Sequence, residues 1–133
     1  MDQREAAPRG DPVMLLGMVV ASGLGSVVRY SLDQAVRRHS SRALPLGTLI
    51  INVTGSFALG LVLGLAAHQG LADGPALLLG AGFLGGYTTL STWAWETLSL
   101  AGQRRPLLAF LNFFVSLSLG LAAAGAGFGL ALL

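Results

Sequence analysis

Asn52 and Asn112, with Thr88, Thr89, Ser91 and Thr92 between them, are polar side chains set inside long apolar runs. An amide buried in apolar surroundings is costly without partners. Each must therefore bond to another segment or line a polar path. For Asn52 both readings stay open, whereas Asn112 is read as a packing contact. Reactive chemistry lacks its reagents. No pair of carboxylates is spaced for acid–base work, no His/Asp/Glu cluster has metal spacing, and no serine has a histidine nearby as base. His39 and His68 stand at the ends of apolar runs, and there is no cysteine. Arg29 and Glu96 are the ionisable groups expected near membrane depth, and a proton-coupled carrier would want an acid in mid-span. What the chain offers is neutral donors, which suit a passing anion because a strong fixed cation would trap it.

The elements that hold these donors are membrane helices. Hydrophobic residues make up 53% of the 133, and charged residues 11%, against about 25% in an ordinary soluble domain. Mean hydropathy is +0.70. Such numbers exclude disorder and leave too little polar surface for a soluble fold. A helix needs about 20 apolar residues to cross a bilayer. Residues 1–12 form a polar tail, and 13–133 are expected to form one domain of four transmembrane helices. The runs start at Val13 (continuing past Arg29 towards Ala35), at Leu44 to Ala67, at Pro75 to about Leu100, and at Leu107 to Leu133. The lead into the first run mixes Asp2, Glu5 and Asp11 with Arg4 and Arg9, unlike the basic lead of a signal peptide. All eight basic residues are arginine, scattered at segment ends with no basic stripe, so no nucleic-acid partner is expected. Arg37, Arg38, Arg42, Arg104 and Arg105 fall on one side and Arg4 and Arg9 on the other, five against two. The positive-inside rule places the first and third loops in the cytoplasm.

Small and polar residues recur every fourth position. Gly17, Ala21, Gly25 and Arg29 do so in the first run. Thr48, Asn52, Ser56, Gly60 and Gly64 follow in the second, and Asn112, Ser116, Gly120 and Ala124 in the fourth. Residues four apart share a helix face, and small faces let membrane helices approach closely. The third run holds Gly85-Gly86-Tyr-Thr-Thr-Leu-Ser-Thr92 in its middle. Paired glycine and β-branched residues weaken a helix. A break there would free backbone carbonyls, tolerable only when buried in protein or lining a cavity, and such carbonyls can hold a cation. The alternative is a continuous helix whose hydroxyls bond the carbonyl one turn back.

Three segments carry a resemblance. Gly47-Thr-Leu-Ile-Ile-Asn52-Val-Thr-Gly-Ser56, Gly82-Phe-Leu-Gly-Gly-Tyr-Thr-Thr-Leu-Ser-Thr-Trp-Ala-Trp-Glu96 and Gly25-Ser-Val-Val-Arg29-Tyr30, with Asn112 and Ser116 in the fourth run, resemble the CrcB/Fluc family of fluoride channels. The resemblance implies an all-α membrane protein whose third helix is broken mid-membrane and which works in the plasma membrane as an antiparallel dimer with two fluoride pathways. It also implies a structural sodium ion at the dimer centre, held by backbone carbonyls that here belong to Gly85 and Thr88. Asn52 matches the pore asparagine, and Ser91, Thr92 and Ser116 match hydroxyls near the path. Arg29 and Glu96 match charged motif positions, read with Asn112 as structural or vestibule residues.

The chain departs from the family at two places where phenylalanine is usual: Leu90 and Trp93. Trp93 keeps an aromatic edge and adds an N–H donor, whereas Leu90 has no positive rim to meet an anion. With the arginine bias, this leaves two arrangements open, a homodimer or a heterodimer with a homologous subunit. The function expected is passive fluoride export that protects the cell, with no enzymatic activity. Two rivals are a non-conducting subunit that needs a paired homologue and a small multidrug-type transporter, which would want an acid that the first run lacks.

Overall fold

The computed structural model of the chain describes residues 11–40 and 45–133, all helix and turn, with no strand among them. Helix α1 spans Pro12–His39, α2 Leu46–His68 and α3 Asp73–Leu77. A π-helical segment, Leu78–Leu84, leads into α4 at Gly85–Tyr87, followed by α5 at Leu90–Gly102 and α6 at Pro106–Leu130. Three of these, α1, α2 and α6, are long and apolar enough to cross a membrane. Most of the polar tail expected over residues 1–12 lies outside the described residues, as do Arg4, Arg9 and Arg42 of the charge count.

Helix α1 starts one residue before the expected Val13. Asp11 caps it, its Oδ1 accepting the Val13 N–H at 2.9 Å. Pro12 takes the first helical position, where its fixed φ suits the helix and its missing N–H is no loss. The helix then runs unbroken past Arg29 and ends with Arg37, Arg38 and His39 in its last turn, where the helix dipole favours cations.

The helices meet through glycine. A Cβ on Gly60 would overlap the Ala124 carbonyl oxygen, and one on Gly127 the Phe57 carbonyl oxygen, so α2 and α6 pack backbone to backbone. Gly25 and Gly86 do the same between α1 and the π-helical segment with α4, against Phe83 O and Ser22 O. The four-residue stripes thus lie at helix contacts, as small-residue faces do in membranes. Buried Ile51, Val62, Leu84 and Tyr87 form a small core, while Val13, Leu16, Leu90 and Leu121 are exposed.

The turn from α5 to α6 carries backbone strain at Arg104, whose φ is +59°. Its N–H donates to Ala101 O at 3.1 Å and the next N–H, of Arg105, to Leu100 O at 3.0 Å. A left-handed conformation costs a residue with a Cβ about 1–2 kcal/mol, partly offset in glycine by its greater freedom when unfolded. Arg104→Gly is expected to stabilise the fold by about 0.5–1 kcal/mol, read as a higher midpoint of thermal unfolding in detergent.

Candidate functional site

The helical path is interrupted at Thr88 and Thr89. Thr88 adopts φ −81°, ψ 161° and Thr89 φ −149°, ψ 117°, both extended. The Thr88 N–H still closes on Leu84 O at 2.9 Å, and its hydroxyl donates to the same carbonyl at 2.9 Å. In a continuous helix the Thr89 N–H would return to Gly85 O. Here Asn52 Oδ1 accepts it at 2.9 Å, while Asn52 Nδ2 donates to Thr89 O at 2.9 Å. The Thr92 N–H, which would return to Thr88 O, donates instead to Thr89 Oγ1 at 3.2 Å, making Thr89 the N-cap of α5. The Gly85 and Thr88 carbonyls thereby leave the helical ladder. Gly86 O accepts the Ser26 hydroxyl at 3.3 Å.

Two grooves flank this step. One, of about 330 Å³, is lined by Asn52, Ser56, Gly85, Thr88, Thr89, Leu90, Trp93 and Ser116 among others. The second, of about 630 Å³, is lined by Ser26, Arg29, Gly85, Thr88, Leu90 and Ser91 among others. An asparagine amide carries two N–H donors, and Asn52 gives one to Thr89 O. Asn52 itself borders the first groove. Leu90 is 75% exposed and borders both grooves.

Of the residues singled out in the sequence, Asn52, Gly85, Thr88, Leu90, Trp93 and Ser116 share the first groove. Ser91 and Arg29 lie on the second. Thr92 is tied to Thr89, whose hydroxyl donates to its Oγ1 at 3.0 Å. Asn112 joins α6 to α5, its Nδ2 donating to Thr97 Oγ1 at 2.8 Å. The Trp93 indole N–H, expected as a donor towards the path, donates to Asn112 O at 3.2 Å instead.

Glu96 stands apart from both grooves. Its Oε1 accepts the Thr48 hydroxyl at 2.9 Å and lies 3.6 Å from Arg37 Nη2. Arg37 Nε donates to Asp33 Oδ2 at 2.7 Å. No two carboxylates are spaced for acid–base work along the sequence, yet the fold gathers Asp33 and Glu96 around one arginine. The signal for the first half was present, since Asp33 and Arg37 are four apart on one helix. The second half depends on α1 and α5 meeting in space. Gly47 makes room for it, because a Cβ there would overlap Asp33 Oδ1.

The arrangement suits holding or passing a small solute by neutral donors rather than transforming one. A family model described as CrcB-like protein, Camphor Resistance (CrcB), matches residues 16–128. The protein of Leifsonia xyli subsp. xyli named "Fluoride-specific ion channel FluC 1" is 47% identical over 116 residues, covering 87% of this chain and 85% of that one. "Fluoride-specific ion channel FluC 2" of Mycobacterium bovis is 46% identical over 109 residues, 82% of this chain and 83% of its own. "Fluoride-specific ion channel FluC" of a Roseiflexus species is 38% identical over 118 residues, 88% and 95% of the two chains. These relatives are named as channels, not enzymes, and three apolar helices of spanning length mark a membrane protein. A match that runs from α1 almost to the end of α6, over the glycine contacts and the Thr88–Thr89 step alike, makes this chain a member of the CrcB family.

Proposed function

We propose that the chain is a subunit of a fluoride-specific ion channel in the plasma membrane, through which fluoride leaves the cell down its electrochemical gradient. The observation that carries this is the first groove. Asn52, Thr88, Thr89 and Ser116 bring uncharged polar groups to it beside an interrupted helix, in a chain whose relatives carry that channel name. Fluoride is small and strongly hydrated, so passage means exchanging its water for several protein donors. The second Asn52 N–H and the hydroxyls of Ser56 and Ser116 make that exchange, since the Thr88 and Thr89 hydroxyls already donate to Leu84 O and Thr92 Oγ1. None of the described residues lining this groove carries a fixed positive charge to trap the ion.

Residues 73–102 are read as a fourth span interrupted at Thr88–Thr89, so that 13–133 form one transmembrane domain of four helices. Two such domains pair antiparallel, each contributing its step to the centre. A sodium ion is read there, bound by the carbonyls of Gly85 and Thr88. What supports this is the diversion of the Thr89 and Thr92 N–H groups to Asn52 and to the Thr89 hydroxyl. Unwound carbonyls suit such a hard ion, and the bound charge would join the subunits and offset the field of a nearby anion.

Fluoride efflux from liposomes holding the purified chain, with sodium present and then removed, tests the reading. Efflux from the lone chain that falls without sodium is expected for a homodimer. A second reading, a subunit needing an oppositely inserted homologue, is favoured by Leu90, which supplies no aromatic rim, and by the arginine bias. Efflux only on co-expression of the pair distinguishes it.

A further inference from the structure

We infer that Phe113, acting with the Asn112 carbonyl, is a positioning residue that holds the Trp93 indole in place in the first groove and so tunes which anion passes. This rests on the reading of that groove as the fluoride path. Trp93 is the one aromatic side chain among the groove's lining residues. Leu90 beside it offers bulk without a positive rim, so aromatic recognition in this groove falls on a single ring.

That ring is held at two points. Its Nε1 donates to Asn112 O at 3.2 Å. Its face stacks on Phe113, with centroids 5.0 Å apart and planes at 26°. Phe113 is in turn met edge-on by Phe114, at 5.1 Å and 72°. The backbone under Trp93 is tied to the same place. The Thr97 hydroxyl donates to Trp93 O at 2.8 Å and accepts Asn112 Nδ2 at 2.8 Å. Asn112 therefore bonds the ring through its carbonyl and the Trp93 turn through its amide. The indole cannot turn about its ring torsion without losing both the hydrogen bond and the stack. With its N–H on Asn112 O and one face on Phe113, the part of the ring left to meet an anion favourably is its C–H edge, the positive part of the aromatic quadrupole. An edge held at a fixed angle discriminates by distance; a free ring would adapt to larger anions.

The chain has two tryptophans, so Trp95→Phe leaves Trp93 as sole reporter. In that background, fluoride and chloride efflux from liposomes are measured beside the fluorescence anisotropy of Trp93. Phe113→Ala is expected to lower fluoride efflux about tenfold, raise chloride relative to fluoride and lower the anisotropy. Phe113→Leu, which keeps apolar bulk without a ring, behaves likewise, and Phe113→Tyr retains the parent values. Phe113→Leu covers the case in which the alanine variant fails to assemble. Parent efflux and anisotropy in Phe113→Leu overturn the inference, and so does lost efflux with unchanged anisotropy. If neither the unsubstituted chain nor the Trp95→Phe parent passes fluoride, alone or co-expressed with an oppositely inserted homologue, the channel reading fails. The anisotropy series then still decides whether Phe113 holds the indole.

Discussion

Asn52→Asp is expected to suppress fluoride efflux about a thousandfold. A carboxylate about 4 Å from a passing anion repels it by about 4 kcal/mol at an effective dielectric constant near 20, which is about three decades in rate. The substitution also loses the bond to Thr89 O, because an ionised carboxylate accepts and cannot donate. Asn52→Leu separates the two effects: it loses both bonds to Thr89 and adds no charge. Efflux from the aspartate variant far below that of the leucine variant assigns the loss to charge. Parent-like efflux from the aspartate variant removes Asn52 from the path.

The second large effect is on stability, and its sign changes between glycines two residues apart. A Cβ on Gly127 would overlap Phe57 O and lie 2.9 Å from Leu61 N, all backbone. A Cβ on Gly125 would meet nothing within 4 Å. Forcing an atom into a packed backbone contact costs about 1–3 kcal/mol, whereas glycine in an open helical position is worse than alanine by about 1 kcal/mol. Gly127→Ala is therefore expected to destabilise by about 2–3 kcal/mol and Gly125→Ala to stabilise by up to about 1 kcal/mol. Unfolding of the detergent-solubilised protein by denaturant reads both. Equal midpoints would contradict the close contact of α2 and α6.

The long helices were legible because lipid imposes one rule on every residue of a span. The apolar runs at 13–35, 44–67 and 107–133 mark α1, α2 and α6 to within a few residues. Their ends shift for local reasons, such as the Asp11–Pro12 start of α1. The four-residue stripes likewise located contacts, since Gly25, Gly60 and Gly64 now face backbone or side chains of another element. The third run was harder. Its glycines and threonines drew attention to 85–92, but the π-helical turn at Leu78–Leu84 has no signature in that string. What holds Thr89 is also not local, because Asn52 is 37 residues away. Two readings of Asn52, packing contact or polar path, are open in the sequence: its bonds to the Thr89 backbone are the first, and the groove it borders is the one proposed as the path. The Trp93 N–H went the same way. A donor expected to be free finds a carbonyl on α6 that spacing along α5 cannot reveal. Asp33 was passed over because it joins Glu96 only once three helices have packed.

The two bonds from Asn52 end on the N–H and C=O of a single residue, so they act as a pin and not as a hinge. Sliding or twisting α5 along α2 would break both at once. The slit beside them is accordingly a rigid aperture. Ions traversing it would show the shallow thermal activation of stepwise rehydration, without the steep activation that rearranging whole helices demands.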